Sequence, residues 1–135
     1  MTLFVDTSVW SLALRRDAGP EGFEVQRLRA ALSGGEAVHT TGIVLQELLQ
    51  GYRGARARAQ IVDHFAALPM IVPARGDHID AAELRNECRR HGIQVDTIDA
   101  LLAQLCIRHA LVMLTTDHDF SRVADWTPLR LWRAS

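Results

Sequence analysis

Four acids of this chain, Asp6, Glu47, Asp99 and Asp117, stand in four separate segments, each beside a short apolar run or at the start of a helical stretch. Carboxylates that meet in this way have a definite chemistry. Two of them about 4 Å apart repel by roughly 4 kcal/mol at an effective dielectric near 20. Four together require proton uptake or a cation. Hard oxygen donors select Mg2+ or Mn2+, and Mg2+ keeps several waters while it holds a substrate phosphate. A water acidified by the ion and steered by a carboxylate can attack a phosphodiester in line. The set therefore predicts metal-assisted phosphodiester hydrolysis, with Asp6, Glu47, Asp99 and Asp117 as metal ligands and catalytic acids.

Each acid taken alone also has a structural explanation. Asp6 can cap a helix that starts at Thr7 or Ser8. Asp96 and Asp99 have the spacing of N-cap and N3 in a capping box. Glu47 can be a solvated helix residue, and Asp117 and Asp119 can shape a turn. Placement decides between the readings, because all four acids fall at strand ends or helix starts.

The elements that must position them follow from periodicity. Leu3-Phe4-Val5 reads as a buried strand, and apolar residues from Val9 to Leu14 continue it as a helix. After a break at Gly19-Pro20, Glu21 to Leu32 reads as a helix and Ala37 to Thr40 as a second strand. Leu45, Leu48, Leu49 and Tyr52 recur at i, i+3, i+4 and i+7, the stripe of a helix that carries Glu47. Ala55 to Leu68 is a further helix, and Met70 to Val72 a third strand. Ala74 to His91 forms a long helix, with Ile79, Ala82 and Leu84 in its apolar set. Asp96 to His109 is another helix and Val112 to Leu114 a fourth strand. Leu129 to Leu131 adds an edge strand. Strands alternating with helices predict an α/β fold with a mostly parallel sheet covered on both faces. In such sheets ligands collect beyond the carboxyl ends of the strands, where Asp6 and Asp117 fall.

The totals bound the function. A chain of 135 residues suits one domain, 1–135. No apolar stretch reaches the roughly 20 residues that a membrane helix needs. The opening lacks the basic lead of a secretory signal. Cys88 and Cys106 lack metal-ligand spacing and read as buried thiols, which suits a reducing, cytoplasmic setting. The histidines share no spacing that suggests zinc. A formal charge of −1 argues against binding nucleic acid by bulk charge alone. All 15 basic residues are arginine, a side chain whose fork matches phosphate, although compositional bias accounts for this equally. Arg53, Arg56 and Arg58, and Arg89, Arg90 and His91, form two clusters that could hold phosphates or simply face solvent.

The segments LFVDTSVW, TTGIVLQELLQG, VDTIDALLAQLCIRHA and LTTDHDF together resemble the PIN-domain family, and within it the VapC-type toxins of type II toxin–antitoxin pairs. They occur in the family's order and span nearly the whole chain, and the last two are the more specific. The resemblance implies a three-layer α/β/α fold with a central, mostly parallel sheet of four to five strands. It implies a Mg2+- or Mn2+-dependent endoribonuclease in which Asp6, Glu47, Asp99 and Asp117 match the metal-binding acids. Thr7 or Ser8, and Thr116, match positions whose hydroxyls orient those acids. Asp96 is an extra acid, and Asp119 could replace or assist Asp117, which is favoured because it lies nearer the strand end. It also implies a homodimer, an RNA substrate and a VapB-type antitoxin seated in the acidic cleft. Contacts with such partners could use Leu28, Leu32 and the Leu48–Tyr52 surface, which core packing explains as well. DNA would be reached only through the antitoxin, and no membrane is involved.

Rival readings are weaker. A nuclease of DNA flaps would need an arch or clamp for which the chain has little room. A phosphatase built on Asp6 would want a second acid where Ser8 stands, and a receiver domain would want a lysine. The alternative from a different class is an acidic-cleft binding module that acts mainly by seating an antitoxin in a DNA-binding regulatory complex.

Overall fold

A computed structural model describes residues 2–15 and 20–134. The predicted break at Gly19 lies outside the described residues. β1 (Leu3–Val5) and β4 (Val112–Leu114) run side by side and parallel at the centre of a five-stranded sheet. All six residues are buried, so the strands are continuous apolar runs rather than alternating ones. β2 (Val38–Thr41) flanks β1 on its other side, and β3 (Met70–Ile71) lies beyond it. β5 (Arg130–Leu131) is the edge strand next to β4. Every pairing is parallel, in the order β3-β2-β1-β4-β5. The expected three-layer α/β/α architecture holds, with all five strands in one sheet.

Among the described residues seven helices connect or cover these strands. α1 (Thr7–Ala13) follows β1 and is anchored by buried Trp10. α2 (Phe23–Ser33), α3 (Gly42–Gly51) and α4 (Ala55–Ala66) precede β3. The Trp10 and Phe65 rings lie 4.8 Å apart, which ties α1 to α4. α5 (Arg75–Arg90) and α6 (Thr97–Arg108) lead to β4, and α7 (Asp119–Trp126) leads to β5. The sequence pattern missed α7, whose buried Phe120 and Val123 give only one turn of periodicity.

Several expectations need correction. Ile79 and Ala82 are exposed; α5 instead buries Asp77, Ala81, Leu84 and Cys88, spaced at i, i+4, i+7 and i+11. Val72 lies past β3 and is exposed. Leu28 and Leu48 belong to the core and are no surface for a partner, while Leu32 and Tyr52 are half-buried against it. Both cysteines are buried free thiols, as expected.

The displaced stripe has a physical cause. Asp77 sits on the inward face of α5, and its Oδ2 accepts the Ala74 N–H at 2.8 Å and Arg108 Nη2 at 2.9 Å. Arg108 Nε lies 2.6 Å from Oδ1, a charge contact without hydrogen-bond geometry, so the guanidinium ties α5 to α6 through its one hydrogen bond to Oδ2 and its charge. Burial pushes the Asp77 carboxyl up. The Ala74 N–H and the Arg108 guanidinium outweigh this and hold it below the usual range. Its stabilisation is therefore present above the unfolded carboxyl pKa and fades as the pH falls through the folded one.

Arg108→Ala would leave that carboxylate buried without its cation, and should lower stability by about 3 kcal/mol, the low end for a broken buried pair because Arg108 is partly exposed. Urea denaturation at neutral pH checks the loss, which should shrink below about pH 4 as carboxyls protonate.

Candidate functional site

The strand order creates the crevice. From β1 the chain proceeds to β2 on one side, whereas β4 lies on the other, so the C-terminal ends of β1 and β4 flank a topological switch point. Asp6 lies at this point and extends the pairing by one step, its N–H donating to the Leu114 carbonyl at 3.0 Å. It occupies the N-cap position of α1, yet its side chain makes no capping bond. Instead Oδ2 accepts two hydroxyls, Ser8 Oγ at 2.8 Å and Thr115 Oγ1 at 2.8 Å. Ser8 Oγ in turn accepts the Thr116 N–H at 3.1 Å, and Thr115 Oγ1 accepts the Asp117 N–H at 3.0 Å. Each hydroxyl thus donates to the acid and accepts from the backbone, lacing the β1–α1 and β4–α7 loops together.

The other acids arrive on helices. Thr41 caps α3 by accepting the Val44 N–H, which starts that helix directly at the end of β2. Glu47 lies in its second turn, and Oε1 accepts Thr7 Oγ1 at 2.9 Å. At the start of α6 the cap is made by Asp96, whose Oδ1 accepts the Asp99 N–H at 2.7 Å. That division of labour leaves the Asp99 carboxylate for the site. Asp117, half-buried, accepts the Asp119 N–H on Oδ1 at 2.9 Å, while Asp119 itself is exposed at the start of α7.

Thr7 and Ser8 both hold acids, a different one each. The expected Thr116 hydroxyl is replaced by that of Thr115, and Thr116 contributes only its backbone N–H. Two adjacent threonines leave this register open in the sequence. It is set by where β4 ends.

The electrostatics report the convergence. Partial burial, then the charges of Asp96, Asp6, Asp117 and Glu47, push the Asp99 carboxyl from the usual range up to about 7. Asp117 contributes to this field, and Asp119 lines the cleft beside Asp96 and Asp99. Beneath the acids, burial and the Asp6 charge push the Cys106 thiol up and keep it inert. His118 is exposed.

The donor set is all hard oxygen, which fits Mg2+ or Mn2+. Among the described residues no group of three or more His, Cys, Asp or Glu side chains is gathered closely enough to hold a metal ion as it stands.

The arginine clusters divide. Arg53 and Arg56 border a separate hollow with Arg15, away from the acids. Arg90 pairs with Glu87, and His91, also held by Glu87, stacks on Trp126 with centroids 3.7 Å apart. Arg89 lines the cleft next to Asp96 and Asp99, as does Arg85, a residue the sequence reading did not single out.

Comparison with known proteins fits this arrangement. The model of the PIN domain family matches residues 3–125. No curated relative matches the chain. Among solved structures, VapBC2 from Rickettsia felis, bound to a DNA fragment from its promoter, superposes with a TM-score of 0.77 at 19% identity, covering 100% of both chains. FitAcB from Neisseria gonorrhoeae gives 0.70 at 18%, covering 98% of this chain and 97% of that one. Mycobacterium tuberculosis VapC20, a sarcin-ricin loop cleaving toxin, gives 0.70 at 21%, covering 96% and 99%.

The shared acidic field sets a pH dependence. In the absence of divalent ions the unfolded chain ionises Asp99 near pH 4 and the folded chain near 7, so stability falls as the pH rises between them. Asp99→Asn should therefore match the wild type near about pH 4, gain on it up to about pH 7 and hold a constant lead above that. Thermal unfolding across this range checks the trend, and parallel curves would remove Asp99 from the cluster.

Proposed function

This chain belongs to the PIN-domain family, and we propose that it is a Mg2+- or Mn2+-dependent endoribonuclease, the toxin of a toxin–antitoxin pair. The observation that carries the reading is the common field of Asp6, Glu47, Asp99 and Asp117 at the switch point of the sheet. A structural role for these acids would scatter them or pair them with cations. Among the described residues none of the four has an ion-pair partner.

Asp6, Glu47, Asp99 and Asp117 would hold the ion, with Asp96 and Asp119 in support. A divalent ion bound there would offset the mutual repulsion of the acids, polarise a phosphate oxygen and lower the pKa of water. The chain's own groups do the positioning. Ser8 and Thr115 fix Asp6 Oδ2, and Thr7 fixes Glu47 Oε1, so neither carboxylate needs to reorganise when substrate arrives. Glu47 keeps Oε2 clear of that contact, as an acceptor for the proton of an attacking water. Asp99, whose carboxyl is pushed up by burial and the neighbouring acids, would be held ionised by a cation bound beside it.

The likeness to VapBC assemblies supports a VapB-type antitoxin as partner, with a basic side chain entering the acidic cleft and DNA reached through that partner. The chain would also pair with a second copy of itself, as the family resemblance implies. The likeness to VapC20, a sarcin-ricin loop cleaving toxin, supports RNA as substrate. Residues 1–135 would act as one domain, in the cytoplasm; among the described residues no helix is long and apolar enough to cross a membrane.

Asp6→Asn and Asp99→Asn should each reduce RNA cleavage by more than ~100-fold, and Ser8→Ala or Thr115→Val by ~10-fold as losses of orienting partners. Chelation should abolish cleavage in all. Sequencing the RNA ends produced with Mg2+ and with chelator is the measurement. Undiminished cleavage by both Asn variants would overturn the assignment of roles.

A further inference from the structure

The cleft beside the acids encloses about 600 Å3 and has two kinds of wall. Asp96, Asp99 and Asp119 enter it from the starts of α6 and α7, and Arg85 and Arg89 from α5. Arg85 and Arg89 are four residues apart on one helix, so they share a face. Arg85 is held in place, its Nε donating to the Val95 carbonyl at 2.7 Å. Arg89 stands one turn further on and is exposed.

Neither guanidinium is neutralised. Among the described residues no carboxylate lies within 4.0 Å of Arg85 or Arg89, although three carboxylates line the same cleft. The adjacent Arg90 is satisfied by Glu87 and Arg108 by Asp77. Two like charges one turn apart repel by a few tenths of a kcal/mol, an effect that an anion between them reverses. A polyanion approaching the acidic centre meets repulsion, and a net charge of −1 gives no general attraction to offset it. A pair of uncommitted forks in the same cleft supplies that attraction locally.

We propose that Arg85 and Arg89 bind backbone phosphate of the RNA strand beside the phosphodiester to be cut, as positioning residues that set where the strand crosses the acids. This rests on the ribonuclease reading above and adds the path of the substrate. Phosphate contacts of this kind fix register without reading sequence. The strand would run along α5, with Ile93, Val95, Phe120 and Val123 as the apolar lining between the two charged walls.

The test combines single-turnover cleavage of a susceptible RNA in Mg2+ with anisotropy of a fluorescein-labelled, mixed-sequence single-stranded RNA in chelator. Arg89→Ala and Arg85→Ala should each raise the half-saturating concentration ~10-fold and change the maximal rate by less than ~3-fold, as expected for a lost phosphate contact. The salt slope of binding should fall by about 1 for each variant. Arg89→Lys should recover part of the affinity but not the bidentate fork, and Arg29→Ala on α2, paired with Glu21 outside the cleft, should behave as wild type. Unfolding curves identify any loss that comes from Arg85 leaving Val95; Arg89 makes no such bond and carries the test alone if needed. Unchanged affinity and salt slope for both alanine variants, with wild type cleaving, would overturn the proposal and leave the nuclease reading standing. Wild type that neither binds nor cleaves RNA would overturn both. Variants that bind RNA normally but release an acidic protein partner would assign the cleft to that partner, against the proposal.

Discussion

Like charges do not gather unaided, and the repulsion among Asp6, Glu47, Asp99 and Asp117 is the constraint around which this fold is arranged. Two carboxylates brought to about 4 Å repel by roughly 4 kcal/mol at an effective dielectric near 20, and here the neighbouring acids are near enough to raise Asp99. Against that stand β1 and β4, whose six buried apolar side chains contribute on the order of 10 kcal/mol, an upper estimate because unfolded chains already bury some surface. The apolar pairing therefore dominates, and it is the pairing that places Asp6 and Asp117 at adjacent strand ends. The hydroxyls of Ser8 and Thr115 then choose the orientation of the acid that the strands have delivered. Burial first, then the charges of Asp96, Asp6, Asp117 and Glu47, raise the Asp99 carboxyl, so part of that repulsion is read at this residue.

The layout was legible in the sequence wherever one physical signal dominated. Continuous apolar triplets such as Leu3-Phe4-Val5 and Val112-Met113-Leu114, short and followed by polar turn residues, read as strands buried on both faces, and their alternation with helical stripes implies a parallel sheet. Once the sheet is parallel, acids that directly follow strands must share an edge. That reasoning located Asp6 and Asp117, and the helix starts located Asp99. Glu47 was harder, because a second-turn helix position faces the crevice only if the helix leaves its strand at once. It does, because Thr41 is both the last residue of β2 and the cap of α3.

What was not legible depended on partners distant in sequence. Asp77 looks like a surface acid and Ile79 like a core residue; their places are exchanged because Arg108, on another helix, pairs with the buried carboxylate. The choice between Thr115 and Thr116 depends on one residue of strand length. Helix α7 is too short to declare a period, and its Phe120 and Val123 gain meaning only against the sheet they cover. Arg85 could not be singled out because its role depends on Val95, ten residues away along the chain and brought back beside it by the turn after α5.

The bond between Thr115 and Asp6 joins residues 109 positions apart. Most of the chain must leave the ribosome before β4 can dock against β1, since non-local contacts form only after their connecting loops close. A nascent chain therefore carries the aspartate that follows its first strand without the hydroxyl that aims it until β4 has been made. The acidic edge of the sheet is therefore put together by long-range docking of β4 on β1, and no local segment can form it alone.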